Sequence, residues 1–164
     1  MDWDEVSKKL KRGLDVDRIK TRLQGGRKVN YIEGWDAIDT ANEIFGWDGW
    51  QVATVEVVRS DHPFREEKAS KEVGSPPIVV ERTLYMAMVT IVVGEAVRKD
   101  VGVSVTTHDT PDSHDMAIKG AVTDALKRAL RTFGPQFGNS LYEHEEGRQA
   151  TLDPPVSRPK ANEG

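Results

Sequence analysis

The sequence predicts an α+β fold: an antiparallel sheet of three strands, or slightly more, with one long amphipathic helix packed across it. Residues 51–58, 78–93 and 97–105 are rich in β-branched side chains that partly alternate with polar ones, as in half-buried strands. Gly94-Glu95 fits a hairpin turn between the last two strands. Residues 121–134 instead repeat with the period of a helix. The predicted order of the elements is therefore α-β-β-β-α.

Two shorter helices are expected ahead of the sheet. The first covers residues 2–12, with Asp2 as its N-cap and Glu5 three residues later, in the spacing of a capping box. The second covers residues 35–45 and ends at Gly46, because glycine is preferred just past the C-terminus of a helix.

Length and composition indicate one globular domain. The 164 residues are 37% hydrophobic, which is enough to bury a core. We place the domain over residues 1–146 and expect a disordered, Pro-rich tail over residues 147–164. The charged stretch at 59–77 is expected to form a long, mobile hairpin tip between the first two strands.

Several classes of site and location can be excluded or set aside at this stage. The sequence has no cysteine, which excludes disulfides, thiolate metal ligands and cysteine nucleophiles. It has no run of 18 apolar residues and no signal-peptide pattern, so we expect no membrane association.

The charge is unevenly distributed. The chain carries a net charge of −4, yet residues 1–33 hold nine basic and six acidic residues, so this N-terminal segment is at +3 and the rest at −7. A basic region within an acidic protein is typical of a localised positive groove rather than of indiscriminate nucleic-acid coating.

The predicted long helix has a basic face. It is expected to begin at Thr110-Pro111, an N-cap followed by proline at the first helical position. Lys127, Arg128 and Arg131 cluster on one side. The opposite side is apolar and carries Val122, Ala125, Leu126, Ala129, Leu130 and Phe133. Two interpretations stay open: a surface for bound negative charge, or a solvated face on which Asp124 pairs with its basic neighbours one turn away.

Four motifs resemble the Rad52 family of single-strand annealing proteins in order and spacing, over roughly residues 3–142 as judged from their positions. They are Tyr31-Ile-Glu-Gly34, Ala41-Asn-Glu-Ile-Phe-Gly-Trp-Asp-Gly-Trp50, Asp100-Val-Gly102 and the helix at 121–134. The resemblance implies a DNA recombination protein that forms a homo-oligomeric ring. Single-stranded DNA would then run in a basic groove around that ring, with its phosphates inward and its bases outward.

The resemblance also bears on partners and location. It implies no enzymatic activity, no catalytic residues and no nucleotide or metal cofactor. Larger members bind a recombinase and a single-strand-binding protein, and we count both as candidate partners. We expect a compact version of the family, cytoplasmic and nucleoid-associated if the host is bacterial or a phage, and nuclear if it is eukaryotic.

Five residues are candidates for DNA binding. By the resemblance, Lys127, Arg128 and Arg131 match the inner groove residues of the family, and Arg22 matches another inner contact. Lys28 could join this track or be an ordinary solvated lysine. Spaced cations suit a phosphate backbone, and arginine can donate to two phosphate oxygens at once.

The chain departs from the family pattern at two places. The connector at 106–115 is acidic and has no Lys or Arg, whereas the family carries there the lysines of a second, outer DNA site. We therefore do not expect an outer site of that geometry. In the 59–77 stretch, Arg65, Lys68 and Lys71 could supply a substitute basic surface or simply be solvated.

Other side chains have more than one interpretation. Trp35, Trp47 and Trp50 could stack on bases, although tryptophan at a helix-to-strand transition more commonly packs at a core edge. Tyr31 and Phe45 are expected to pack at the helix–sheet junction. The remaining candidate, Lys119, is expected to extend its stem over a subunit interface.

Two rival functions remain. Asp36, Asp39 and Glu43 share a helix face and could hold the two metals of a nuclease, or be a solvated acidic face. A general single-strand-binding module without annealing activity would have the same sequence features as an annealing protein. Only an annealing assay separates the last two.

Overall fold

A computed structural model describes residues 1–141 of the chain. Three helices are present in this part: α1 (Trp3–Leu10), α2 (Gly34–Phe45) and α3 (Pro111–Arg131). The strands are β1 (Lys20–Gln24), β2 (Arg27–Tyr31), β3 (Trp50–Arg59), β4 (Phe64–Lys68), β5 (Ile78–Arg82), β6 (Leu84–Val93) and β7 (Ala96–Val105). Short 3-10 turns lie at Val16–Arg18 and Pro135–Phe137. The expected end of the domain near residue 146 and the expected tail at 147–164 lie outside the described residues.

The central unit is the predicted antiparallel sheet of three strands, in the order β3-β6-β7. The long helix α3 lies across β6 and β7, and alternate residues of β6 from Tyr85 to Val93 are buried beneath it. The mixed α+β class, the three-stranded sheet and the helix across it are thus confirmed. Gly94 and Glu95 form the turn between β6 and β7, also as predicted.

Close contact between α3 and β7 depends on small residues. The most deeply buried line of the helix runs through Ala117, Ala121, Ala125 and Ala129, one residue per turn. Opposite this line, a Cβ atom on Gly102 would overlap the backbone of α3. The Asp100-Val-Gly102 motif therefore includes a glycine because the helix backbone occupies the space of its missing side chain.

The helix ends follow the capping residues that the sequence indicates. Asp2 caps α1, since its Oδ1 accepts from the backbone N–H groups of Asp4 and Glu5 at 2.9 and 3.3 Å. Glu5 does not complete the capping box, because its side chain binds Lys8 at 2.7 Å. Thr110 caps α3 in the same way, with its Oγ1 accepting from Ser113 N at 3.3 Å.

The full element order is longer than α-β-β-β-α, and the single strand expected at 78–93 was wrong. That stretch divides at Thr83 into β5 and β6. The Thr83 backbone N–H donates to Thr106 Oγ1 at 2.9 Å, so a buried side chain replaces the strand partner there. Upstream, β4 pairs with β5 in a separate hairpin, so part of the expected mobile tip at 59–77 is ordered strand.

A further hairpin, β1–β2, precedes α2 and was not predicted as strand. Its residues are exposed or half-buried, so no apolar alternation marks them. The turn consists of Gly25 and Gly26, both with positive φ (58° and 77°), a conformation that glycine adopts without steric cost. This hairpin carries part of the candidate site.

No helix of residues 1–141 is long and apolar enough to cross a membrane.

Candidate nucleic-acid interface

Arg22 of β1 and Lys127 of α3 meet over one aromatic ring. The Arg22 guanidinium carbon lies 4.8 Å from the centre of the Tyr31 ring, and Lys127 Nζ lies 5.4 Å from the same point. Both distances are within the range of cation–π contacts. Tyr31, at the end of β2, thus holds two candidate cations that lie far apart in the sequence.

The hairpin register explains why Arg22 reaches Tyr31. Arg22 pairs with Val29 and Lys20 pairs with Tyr31, so side chains at 20, 22, 29 and 31 share one face of the hairpin. Lys28 pairs with Leu23 instead and is on the other face. The structure therefore brings Arg22 and Lys127 together but turns Lys28 away from them.

The surroundings of Lys127 disfavour its charged form. Burial lowers the pKa of Lys127 from its usual 10.5, and the nearby charge of Arg22 lowers it further, while Asp124 and Glu33 act in the opposite direction. Lys127 Nζ also donates to the Ile32 carbonyl at 3.2 Å. A negative group entering this site would favour the charged lysine and relieve the repulsion from Arg22.

Tyr31 is held neutral as a hydrogen-bond donor. Its hydroxyl donates to Glu33 Oε1 at 3.1 Å. This hydrogen bond, with burial and the charge of Glu33, raises the pKa of Tyr31 above 10.0, against a smaller lowering by Arg22. The hydrogen bond to Glu33 also fixes the ring on which the two cations rest.

Arg128, one position further along α3, pairs with the sheet. Its Nε donates to Asp100 Oδ1 at 3.2 Å, and the two side chains are 36% and 22% exposed. Arg131 follows one turn later and is half-buried. Asp124, the expected partner on the helix, accepts instead from the Val103 backbone N–H at 3.3 Å. The solvated-face interpretation with pairs inside the helix is therefore wrong for Arg128.

Sequence reasoning missed two side chains that orient the cations. Tyr31 was expected only to pack at the helix–sheet junction, and Asp100 was noted only as part of a motif. A signal for Tyr31 existed, because Gly25-Gly26 fixes a two-residue turn whose register puts positions 22 and 31 on one face. Nothing in the sequence spacing pairs Asp100 with Arg128, which are brought together by the packing of α3 on β7.

The three tryptophans considered for base stacking differ in how exposed they are. Trp50 donates from Nε1 to Asn42 Oδ1 at 2.9 Å and packs at the core edge, as expected. Trp35 and Trp47 are 64% and 85% exposed, so core-edge packing was the wrong expectation for Trp47. The structure connects neither of these two to the cluster around Tyr31.

Two of the remaining basic candidates pair with acidic side chains. Arg65 pairs with Glu81 across the β4–β5 hairpin at 3.0 Å. Lys119 pairs with Asp115 one turn back on α3 at 2.6 Å and is well exposed. Lys68 and Lys71 are exposed at and beyond the end of β4. These four residues form no cluster comparable to the one around Tyr31.

Of the three carboxylates considered for a nuclease, Asp36 is held by an arginine, and Asp39 and Glu43 are exposed. Asp36 receives Arg18 Nε and Nη2 at 2.9 and 2.8 Å, and the same guanidinium binds Thr40 and Gln136. Asp36, Asp39 and Glu43 line a cleft of about 330 Å³ that also contains Arg18 and other basic side chains. Within residues 1–141, no group of three or more His, Asp or Glu side chains is arranged to hold a metal ion.

Comparison with known proteins gives one consistent family. Residues 2–156 match the profile described as Rad52/22 family double-strand break repair protein. The chain is 36% identical over 146 residues to the DNA repair and recombination protein RAD52 of Candida glabrata, covering 87% of this chain and 26% of that protein. RAD52 of Saccharomyces cerevisiae gives 36% identity over 146 residues, with 87% and 28% coverage. The protein rad22 of Schizosaccharomyces pombe gives 34% over 145 residues, with 87% and 29% coverage. The chain thus spans less than a third of the length of each.

Proposed function

The chain belongs to the Rad52/22 family of double-strand break repair proteins, and we propose that it binds single-stranded DNA and anneals complementary strands in recombination and double-strand break repair. The observation that carries this proposal is the meeting of Arg22 and Lys127 over the Tyr31 ring, next to Arg128 and Arg131 on the same helix. The relatives are named DNA repair and recombination proteins, which supports the same process.

The chemistry of these residues suits a DNA backbone better than bases. Arg22, Lys127, Arg128 and Arg131 supply four positive charges from one strand and one helix, as a phosphate backbone requires. Phosphate contacts of this type fix a strand in position without selecting its sequence. An annealing protein must accept any sequence, so contacts to the backbone meet its requirement.

The charge arrangement favours an anion between the hairpin and α3. Lys127 and Arg22 lie against one ring, and the pKa of Lys127 is lowered by burial and by that arginine. Two like charges held close together are stabilised by a phosphate that contacts both. We propose that one phosphate of the bound strand occupies this position.

Arg128 and Arg131 would continue the track along α3, one turn apart. Lys28 is on the opposite face of the β1–β2 hairpin from Arg22. Lys28→Ala is therefore expected to weaken DNA binding less than Arg22→Ala.

We propose that copies of the chain assemble into a ring. The outer face of the three-stranded sheet, away from α3, carries exposed apolar side chains that no described element covers: Val58, Met86, Val97, Val101, Val103 and Val105. Apolar faces of this kind mark contact surfaces between proteins. A second copy is the proposed occupant, because a ring would also join the DNA track of one subunit to that of the next.

The inner face of β3 carries a second group of partly exposed apolar side chains. Val52, Val55 and Val57 are 42%, 48% and 42% exposed, while their cross-strand partners Ile91, Val89 and Ala87 are fully buried under α3. The helix thus covers two of the three strands.

The free edge of β7, in contrast, is protected: Asp100 and Asp124 accept from the backbone N–H groups of Val101 and Val103 at 2.8 and 3.3 Å. We therefore propose that a neighbouring copy packs on the sheet faces and on β3, not on the β7 edge.

Annealing follows from holding two backbones in such a groove. Bound cations reduce the repulsion between two negatively charged strands. Strands held by their phosphates keep their base edges available, so complementary segments can test pairing repeatedly. In this proposal the protein catalyses no covalent step and uses no nucleotide or metal cofactor. A recombinase or a single-strand-binding protein remains a proposed partner.

The test is an annealing assay with complementary, fluorescently labelled oligonucleotides in EDTA and without ATP. The full chain is expected to accelerate pairing, and Arg22→Ala and Lys127→Ala to reduce that acceleration without changing oligomer size. Binding without any acceleration would support a single-strand-binding module instead. Cut fragments that appear with magnesium or manganese and disappear in Asp36→Asn, in protein that stays folded, would support a nuclease.

A further inference from the structure

Arg98, on the face of β7 that packs against α3, is a half-buried arginine with no acidic partner. Its guanidinium carbon lies 5.0 Å from the centre of the Phe133 ring, and its Nη1 donates to the carbonyl of the adjacent Val97 at 3.0 Å. No Asp or Glu side chain of residues 1–141 forms an ion pair with it.

Three other arginines of similar burial each have a carboxylate. Arg18 pairs with Asp36 at 2.8 Å, Arg82 with Glu66 at 2.8 Å and Arg128 with Asp100 at 3.2 Å. Partly buried charges are normally paired because desolvation without a counter-ion is costly. Arg98 is a partly buried arginine of the sheet without such a partner. We therefore expect its counter-ion to come from outside the chain.

The position of Arg98 identifies the kind of counter-ion. Arg98 and Asp100 are two residues apart on one strand and point to the same face, and Asp100 binds Arg128. Arg98 is therefore a direct neighbour of the Asp100–Arg128 pair. Phe133, which holds Arg98, lies just beyond Arg131 and is itself packed against Phe45 at 5.2 Å between ring centres.

We propose that Arg98 is an additional phosphate-binding residue, which extends the track of Arg128 and Arg131 from the helix onto β7. This inference rests on the proposed function, since the anion it assigns is the backbone of the bound single strand. Phe133 acts as the positioning residue. Its ring holds the planar guanidinium on one side, so less side-chain freedom is lost when the other donors bind phosphate.

The test is the salt dependence of single-stranded DNA affinity for Arg98→Gln. Glutamine keeps most of the side-chain length and removes the charge. The slope of log K against log salt is expected to fall by about 0.7, the value for one phosphate contact on a single strand. Affinity at low salt is expected to fall about tenfold, as for a lost hydrogen-bonded charge.

Lys71→Gln is the matched control. Lys71 is exposed beyond the end of β4, outside the proposed track and the sheet faces proposed to contact a neighbouring copy, and its loss changes the net charge equally. The slope of log K against log salt for this control variant is expected to stay at the wild-type value. Oligomer size and melting temperature are measured first for both variants. If Arg98→Gln does not assemble, Arg98→Lys replaces it in the test. Lysine keeps the charge and loses the planar guanidinium, so the salt slope is expected to stay at the wild-type value while the affinity for single-stranded DNA falls.

An unchanged slope in an assembled Arg98→Gln protein, while Arg128→Gln lowers it, would overturn the assignment of Arg98 and leave the proposed function standing. Equal falls in Arg98→Gln and Lys71→Gln would also overturn it, because net charge alone would then explain the effect. Absence of single-strand binding by the wild-type chain would instead reject the proposed function itself.

Discussion

Arg128 of α3 donates from its Nε to Asp100 Oδ1 of β7 over 3.2 Å, so a residue proposed to bind DNA is already in contact with a carboxylate. Asp100 Oδ1 also accepts from the Val101 backbone N–H at 2.8 Å, which fixes the carboxylate in place. The pair fixes the position of the guanidinium and at the same time offsets part of its charge.

This relationship predicts a gain of DNA affinity in Asp100→Asn. Asparagine retains an oxygen that can accept from both donors and removes the negative charge that competes with phosphate for Arg128. We expect single-strand affinity at low salt to rise several-fold. Stability should change little, by about 1 kcal/mol or less for a partly exposed pair.

A double-mutant cycle checks the cause of that gain. The gain should disappear when Asp100→Asn is combined with Arg128→Gln, because the carboxylate then has no arginine to compete for. An equal gain with and without Arg128 would mean that only net charge matters, and would contradict a specific role of the pair.

Gly102→Ala is predicted to destabilise the fold strongly. Its Cβ would overlap the backbone of Ala121 and Ala125, and backbone atoms cannot move away as a flexible side chain can. We expect a loss of at least about 1–3 kcal/mol, as for overpacked cores. Urea unfolding at one fixed protein concentration measures this loss in the free energy of unfolding. Gly13→Ala is the matched control, because no atom lies within 4 Å of its added Cβ. Equal stability of the two variants would show that α3 and β7 are not in such close contact.

Asp36→Ala is predicted to act on stability. Arg18 and Asp36 are only 20% and 13% exposed, and the same guanidinium binds Thr40 and Gln136. Removal of the carboxylate leaves a largely buried charge unpaired, at a cost of about 3–5 kcal/mol. The exposed Asp39→Ala on the same helix should shift the free energy of unfolding by no more than about 0.5 kcal/mol. Chemical denaturation measures the free energy of unfolding of both variants. Similar small losses in Asp36→Ala and Asp39→Ala would mean that the hydrogen bonds around Arg18 do not stabilise the fold.

The pH dependence of DNA binding should report Lys127. Its pKa is lowered from 10.5 in the free protein by burial and by Arg22, and a bound phosphate favours the charged form. Affinity should therefore begin to fall with rising pH at values where an ordinary lysine is still charged. The hydrogen bond to Glu33 raises the pKa of Tyr31, so Tyr31 loses its proton at a higher pH than an ordinary tyrosine.

Binding measured across the alkaline range at constant ionic strength tests this. Lys127→Arg stays charged and should flatten the profile, whereas Lys28→Arg should leave it as in the wild type. Identical profiles for the wild type and Lys127→Arg would contradict the proposed phosphate position beside Lys127.

Much of the fold was predictable because local and periodic signals agreed. The β-branched runs gave β3, β6 and β7, and Asp2, Gly46 and Thr110 marked helix ends at which capping chemistry is local. Thr83 could not be predicted to break a strand, because its replacement partner, Thr106, lies 23 residues away. The β1–β2 hairpin lacks a buried face, so hydrophobic periodicity carries no signal for it.

The site was predictable in its charges and less so in its geometry. The clustering of Lys127, Arg128 and Arg131 on one helix face follows from helical spacing, whereas the proposal that they bind DNA, like that for Arg22, comes from the resemblance. That Arg22 and Lys127 share Tyr31, and that Arg98 lies beside the Asp100–Arg128 pair, depends on how α3 sits on the sheet. Packing between distant segments leaves no trace in residue spacing, so these relationships required the structure.

The most direct test of DNA binding by the cluster around Tyr31 is the salt dependence of single-strand affinity for Arg22→Gln combined with Lys127→Gln. The control combines Lys68→Gln with Lys71→Gln, which removes the same charge from the alternative basic surface at 59–77. With both proteins assembled, we predict that the slope of log K against log salt falls by about 0.7 in the first, the value for the one phosphate proposed to contact both cations, and is unchanged in the second. A fall in the second and none in the first would place the DNA on the hairpin of β4 and β5 and contradict the proposed site.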